Sequence, residues 1–163
     1  MIRKAVRGDA GRVAEILIMG SRAAYQGIVL DTYLRKSLVL ETRTIEYEER
    51  IKSGIEGIFV SEEDGVTHGF FACARPDKFR DSSLELLQIY VDPRMKRKGI
   101  GGALLAFFED LARTQHFDRV FLWVIRDNCA GRMFYEKNGY AKDALERMLE
   151  KYQVPQVRYS KNV

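Results

Sequence analysis

The chain has 163 residues, of which 46% are hydrophobic and 31% charged, and its formal net charge is +4. That length suits one compact domain spanning residues 1–163, and the lack of any membrane-length apolar run argues against an integral membrane protein. A small cationic excess helps attract an anionic ligand but is too weak for a nucleic-acid binder, and no basic block with interleaved aromatics is present. We therefore expect neither nucleic acid nor a membrane as partner. Residues 1–7 lack the long apolar stretch of a signal peptide. The two cysteines, Cys73 and Cys129, are far apart and form no CxxC pair, which fits a reducing, cytoplasmic setting.

In chain order, residues 2–6 read as a first strand. Asp9 stands where it can cap a helix starting near Ala10, with Val13, Ile16, Leu17 and Gly20 as its inward stripe. Tyr25-Gln26-Gly27-Ile28 breaks that period, and Asp31 is placed to cap a short helix through Tyr33, Leu34 and Leu38. Residues 42–51 are charged and helical, with Ile45 and Ile51 facing inward. Residues 57–61 and 69–74 read as strands joined through the Asp64-Gly65 turn signal. A longer strand covers 84–91 and is stopped by Asp92-Pro93. Residues 101–113 form a helix whose apolar face holds Leu104, Leu105, Phe108, Leu111 and Ala112. A strand over 119–125 and a helix over 128–137 follow, the latter ended by Asn138-Gly139. Residues 144–152 have helical composition, and 154–160 form a last strand. Strands alternating with helices in the second half argue for a mixed α/β sheet.

The most informative stretch joins the 84–91 strand to the 101–113 helix through Lys96-Arg97-Lys98-Gly99-Ile100-Gly101-Gly102. A helix start offers unpaired N–H groups and partial positive charge, and glycines let a phosphate approach the backbone. Lys96, Arg97 and Lys98 add charge there. Other phosphate loops fit poorly. A P-loop ends in Gly-Lys-Ser/Thr where this chain has Gly101-Gly102-Ala103, and a dinucleotide fingerprint needs a third glycine where Leu104 stands. Taken alone, the loop is equally a tight strand-to-helix turn with solvated lysines.

This segment resembles motif A of the GNAT superfamily, Gln/Arg-x-x-Gly-x-Gly/Ala, with Lys96 in the Gln/Arg place and Gly99 and Gly101 as its glycines. Asn128-Cys129-Ala130-Gly131-Arg132-Met133-Phe134-Tyr135-Glu136-Lys137-Asn138-Gly139-Tyr140 resembles the family's other half, Asn-x-x-Ala-x-x-Phe-Tyr-x-x-x-Gly-Phe. It departs in placing Gly131 at the usual alanine and Tyr140 at the usual phenylalanine. The resemblance runs from about Ile2 to Tyr140 and is weakest over 20–55. It implies an α/β (α+β) fold: a mixed, mostly antiparallel sheet of six to seven strands, helices on both faces, and a V-shaped splay between central strands. It also implies acetyl-CoA as acyl-donor co-substrate, no metal, an amine acceptor, and a homodimer as one common assembly.

Acyl transfer to an amine requires that the amine lose a proton, that the thioester carbonyl be polarised, and that the leaving thiolate be reprotonated or stabilised. Glu85 is the candidate base. Strand alternation puts it on the face of Leu87, Ile89 and Val91, where a carboxylate's pKa rises, and some family members carry their base here. A structural salt bridge is the alternative for Glu85. Tyr135 matches the family's acid tyrosine, and a phenol can donate to a departing thiolate; the alternative is a core tyrosine bonded to a carbonyl. Asn128 caps its helix and, by the resemblance, bonds the pantetheine arm, which also pairs with backbone groups of Ile89, Tyr90 and Val91. Tyr25 and Glu85 are the candidate acceptor contacts. Cys129 has no adjacent histidine, which argues against a covalent cysteine route. Trp123 alternates with Phe121 as core or cleft wall.

Direct acetyl transfer from acetyl-CoA to a primary amine in a ternary complex is the leading expectation. A catalytically silent acyl-CoA-binding sensor module and an acetyltransferase acting on protein N-termini or lysines are the alternatives. The acceptor itself is not legible.

Overall fold

A computed structural model of the chain describes residues 1–76 and 82–163. Strand β1 (Ile2–Lys4) leads through a 3-10 turn into α1 (Ala10–Tyr25), α2 (Asp31–Ser37) and α3 (Leu40–Ser53). Strands β2 (Gly57–Glu63), β3 (Val66–Ala74) and β4 (Ser83–Val91) follow. Then come α4 (Ile100–Thr114), β5 (Arg119–Ile125), α5 (Cys129–Lys137), β6 (Ala141–Leu149) and β7 (Val154–Asn162). The strands form one seven-stranded sheet in the order β1-β2-β3-β4-β5-β7-β6. Every neighbouring pair is antiparallel except β4 and β5. This is the mixed, mostly antiparallel sheet that the sequence predicts.

One face carries α4 and α5, where Leu104, Leu105 and Phe108 pack with Phe71, Leu84, Leu86 and Leu122. On the other, Val13, Ile16, Leu17 and Tyr47 meet Ile58, Val60, Phe70 and Ala72. A smaller cluster joins α1 and α2 to Ile125 and Tyr152. The predicted inward stripe of α1 is buried throughout.

Four local expectations are corrected. Asp9 lies in helical backbone and does not cap α1; its side chain accepts from the Val6 N–H at 2.8 Å and from Arg3. Asp31 is the first helical residue of α2, with Leu30 at the cap position. In α3 the buried residue is Tyr47, while Ile45 is 54% exposed. Tyr47 and Ile51 are four apart and share a face, which turns Ile45 outward. Residues 144–152 do not form a helix: β6 runs to Leu149 and a turn follows. Their helix-favouring composition yields to the ladder with β7, because pairing partners override weak local propensity on an exposed edge strand.

The β4–β5 pairing is short. It runs from Ser83↔Arg119 to Leu86↔Leu122 and stops, leaving 87–91 and 123–125 without partners across the gap. Beyond it β4 continues against β3 and β5 against β7. The sheet therefore splays at its centre.

Asp92 closes β4 and is 1% exposed. It accepts from Arg94 Nη2 at 2.8 Å, from the Arg94 backbone N–H at 2.9 Å and from Arg12 Nη2 at 2.5 Å. The Arg94 side chain in particular holds this carboxyl well below the usual range, burial opposes, and the Arg94 N–H and Arg12 add to the lowering. A lowered folded pKa means stability that is present at neutral pH, declines as pH drops below the unfolded value near 4, and is gone below the folded value. Asp92→Asn is expected to cost about 2 kcal/mol at pH 7, since Arg12 loses its buried partner. Urea midpoints measured against pH check this: the gap between wild type and variant should close on acidification.

Candidate active site

The splay opens into a cleft of about 750 Å³. Its walls come from both faces of the sheet. Phe134, Tyr135 and the start of α4 line it from one side, and Gly20, Ala24 and Tyr25 of α1 from the other. Residues 86–91 of β4 and Trp123 and Val124 of β5 form the gap between them. The cleft thus passes through the sheet.

At one end lies the glycine loop. Arg97 and Gly99 both have left-handed backbone, with φ of 64° and 80°. Such alternation turns successive N–H groups toward one concavity, and the glycine takes that conformation without the steric cost a Cβ brings. The helical ladder opens with the Ala103 N–H donating to the Gly99 carbonyl at 3.0 Å, so the N–H groups of Ile100, Gly101 and Gly102 have no ladder acceptor. Lys96, Arg97, Gly99, Ile100, Gly101 and Gly102 line the cleft. Lys98 does not; its Nζ points to Met95 Sδ at 3.7 Å. Lys137 joins the cationic lining, a contribution that sequence spacing did not reveal.

Asn128 caps α5, its Oδ1 accepting the Gly131 N–H at 3.0 Å. A Cβ on Gly131 would lie 2.6 Å from Asn128 Nδ2, so the glycine at the family's alanine place gives this side chain room to fold over the helix start. Tyr135 stacks edge-on with Phe134 and Tyr140. It lines the cleft, and its hydroxyl makes no hydrogen bond among the described residues. Burial pushes this phenol well above its ordinary pKa. Behind it, Tyr159 donates to Glu136 at 2.5 Å and accepts from Arg132 at 3.1 Å, which ties α5 to β7.

On the α1 side, the hydroxyls of Tyr25 and Tyr90 are 2.9 Å apart. Burial raises both pKa values, most strongly for Tyr25. Gln88, which also lines the cleft, accepts at Oε1 from Tyr47 at 2.8 Å and from Arg50 at 3.1 Å.

Glu85 is where the structure departs most from strand alternation. Ala72 pairs with Gln88 but Cys73 with Leu86, so Leu87 is an extra residue in β4. This bulge reverses the alternation. Ile89 and Val91 pack in the α4 core with Leu84 and Leu86, while Leu87 and Tyr90 pack on the α1 side. Glu85, beside Phe121 in the β5 register, belongs with Leu87 and Tyr90 and not with Ile89 and Val91. It is outside the cleft lining, which contains no Asp or Glu among the described residues. Burial raises the Glu85 pKa, and the nearby Arg147 and Arg158 partly offset that rise. Leu87, skipped by both ladders, is the site residue that alternation could not find. Trp123, left open as core or cleft wall, is wall. Among the described residues no cluster of three His, Cys, Asp or Glu is placed to hold a metal, and no helix is long and apolar enough to cross a membrane.

A mixed sheet parted at its parallel pair, with a glycine-rich helix start at the parting, defines an acyltransferase fold. The chain belongs to the Acetyltransferase (GNAT) family, whose model matches residues 23–140. It is 29% identical over 130 residues to Bacillus subtilis (strain 168) YuaI, an uncharacterized N-acetyltransferase, covering 78% of this chain and 72% of that one. It is 26% identical over 143 residues to a spermidine N(1)-acetyltransferase of Thermoplasma acidophilum, covering 85% and 86% of the two chains. The fold matches the crystal structure of the PaiA N-acetyltransferase of Thermoplasma acidophilum in complex with coenzyme A. That match has a TM-score of 0.79 and 23% identity, over 100% of this chain and 98% of that one.

Proposed function

We propose that this protein, as a single N-acetyltransferase domain over residues 1–163, moves an acetyl group from cytoplasmic acetyl-CoA to a primary amine by direct attack in a ternary complex. The observation that carries the reading is the cleft through the sheet, with a phosphate-binding helix start at one end and tyrosine hydroxyls at the other. The N–H groups of Ile100, Gly101 and Gly102 suit a diphosphate, with Lys96 and Arg97 adding charge and Lys98 acting only at longer range. The pantetheine arm takes the place of the missing strand, pairing with the vacant side of Ile89, Tyr90 and Val91 and meeting Asn128 at the other wall. Family membership and the coenzyme A-bound relative fold support this reading.

The chemistry then runs as follows. The amine nitrogen attacks the thioester carbonyl, whose developing oxyanion a backbone N–H at the Leu87 bulge is positioned to stabilise. The C–S bond breaks, the thiolate takes the proton of Tyr135, a phenol that burial keeps protonated near neutral pH, and the surplus proton of the attacking nitrogen passes to the resulting phenolate, which restores Tyr135. Bringing an amine of pKa near 10 to its neutral form at pH 7 costs roughly 4 kcal/mol. Glu85, its basicity raised by burial, takes that proton through a water, since its carboxylate stands behind the lining. Tyr25 holds the acceptor from the α1 side. The likeness to a spermidine acetyltransferase puts polyamines among the acceptors to screen.

Release of free thiol from acetyl-CoA across an amine panel tests the activity; silence with every amine would leave a binding module only. The loop is tested by Gly101→Asp. A Cβ there meets Phe134 at 3.5 Å, an ordinary contact, so the fold should persist while the added carboxylate repels the diphosphate. Calorimetry should show coenzyme A affinity lost, and unchanged affinity would remove the loop from the site. Tyr135→Phe should lower kcat by about 10- to 1000-fold with acetyl-CoA affinity barely moved. Glu85→Gln should lower kcat/KM more for a strongly basic amine than for a weakly basic one; equal losses would take Glu85 out of the proton path.

A further inference from the structure

We propose that Gly20 is a positioning residue for the acceptor: it lets α1 close on β4 so tightly that the Tyr90 side chain reaches Tyr25 and fixes the hydroxyl offered to the amine. The inference rests on the acetyl transfer proposed above, with Tyr25 as the acceptor-side contact. Gly20 lies within α1 and is buried. Glycine in a helix interior is unfavourable relative to alanine, so its place there needs a reason that helix formation does not give. Tyr90 supplies that reason. A Cβ on Gly20 would stand 2.6 Å from Tyr90 Cδ1, 3.4 Å from its Cγ and 3.5 Å from its Cβ. These atoms are the root of the side chain, anchored to the strand, and not a free end that could swing aside. The same ring stacks on Phe70 of β3, with centroids 5.9 Å apart. Tyr90 is thus held by α1 and β3 together.

From that contact the side chain leads to the end of the helix. Tyr25 is the last residue of α1, five places after Gly20. Five residues of helix rise about 7.5 Å, close to the length of a tyrosine side chain. The two hydroxyls meet at 2.9 Å. The Tyr25 ring also packs against Tyr152, with centroids 6.0 Å apart. A helix end frays unless something ties it, and here the last residue is tied at both ring and hydroxyl. Gly20, Tyr25 and Tyr90 all line the cleft, so the contact is part of its wall. A phenol bonded to a second phenol keeps capacity for a further partner, because its oxygen both donates and accepts. Held in one place, it orients an incoming N–H before attack. A methyl group at Gly20 would push α1 off β4 and part the two hydroxyls.

Three measurements test this. The first needs no turnover: tyrosines isotope-labelled at Cζ are read by NMR in the coenzyme A-loaded protein. Gly20→Ala and Tyr90→Phe should each shift the Tyr25 resonance and leave that of Tyr33 in place. The second is stability. Gly20→Ala should lower the urea midpoint of wild type but raise that of Tyr90→Ala, where the obstructing ring is gone and alanine's better helix propensity shows. A Gly20→Ala protein that folds only together with Tyr90→Ala gives the same answer. The third is kinetic, with spermidine, tyramine and tetra-alanine as acceptors. For the one that wild type acetylates fastest, Gly20→Ala and Tyr90→Phe should each raise the acceptor KM by roughly 3- to 10-fold, the loss of one neutral hydrogen bond. Coenzyme A affinity should not move, since β4 keeps its ladder with β3. An unmoved Tyr25 resonance in Gly20→Ala, a midpoint shift of the same sign in both backgrounds, or an unchanged acceptor KM would each overturn the assignment. Equal losses of coenzyme A and acceptor affinity would do so too, as the mark of a loosened fold. If wild type acetylates none of the three amines, the acetyl-transfer reading is what fails, and the resonance and the midpoints still decide the role of Gly20.

Discussion

The rest of the molecule depends on the point where β4 and β5 stop pairing. They are the sheet's parallel neighbours, and their ladder ends at Leu86↔Leu122. Past that point each strand is held only on its outer side, β4 by β3 and β5 by β7. Unpaired backbone groups inside a protein cost about 1–3 kcal/mol each when nothing answers them. A gap of this kind therefore calls for an occupant that brings its own donors and acceptors, which an amide-bearing arm does. The strength of the outer ladders is what allows the gap: the strands can part because neither relies on the other for its place.

The bulge at Leu87 lies at the mouth of the gap. Had β4 kept strict alternation, Glu85 would share the α4 face with Ile89 and Val91. The extra residue puts it instead on the α1 face, near Arg147 and Arg158. Charge is segregated as a result. The cleft carries Lys96, Arg97 and Lys137 with no carboxylate among the described lining residues, so an anionic donor meets no repulsion. The raised carboxylate stands behind, where it can act on a proton without opposing the donor. One inserted residue thus keeps a carboxylate off the face that carries Ile89 and Val91.

What was legible in the sequence was what is contiguous. The loop at 96–102 and the cap at Asn128 each depend on residues within a few places of one another, and all of these but Lys98 line the cleft. The α1 stripe and β5 were legible because their apolar periods agree with their packing. What failed was set at a distance. Helix-favouring residues in β6 lost to the ladder with β7, and Ile45 lost its inward place to Tyr47, whose ring packs edge-on against Phe70 of β3. The face of Glu85 depended on a bulge that no local signal in Leu84-Glu85-Leu86-Leu87-Gln88 announces. Glutamine in that apolar run was a hint, since a half-buried amide needs partners, and Tyr47 and Arg50 supply them.

The same division separates the two halves of the proposed site. The donor half is nearly one stretch of chain from Ile89 to Gly102, joined by α5, and a change there disturbs both the core and the loop. The acceptor half is assembled from α1, β4 and β5, which meet only through tertiary pairing. Outside the cleft lining, β6 is an edge strand, held by a single ladder and exposed along most of its length. Its register shifts between Lys142 and Glu146, immediately before Arg147 pairs with Gln156. A slip of one residue would send the Arg147 side chain to the opposite face, away from Trp123. An edge strand can absorb such a shift at little cost to the core, whereas a central strand cannot.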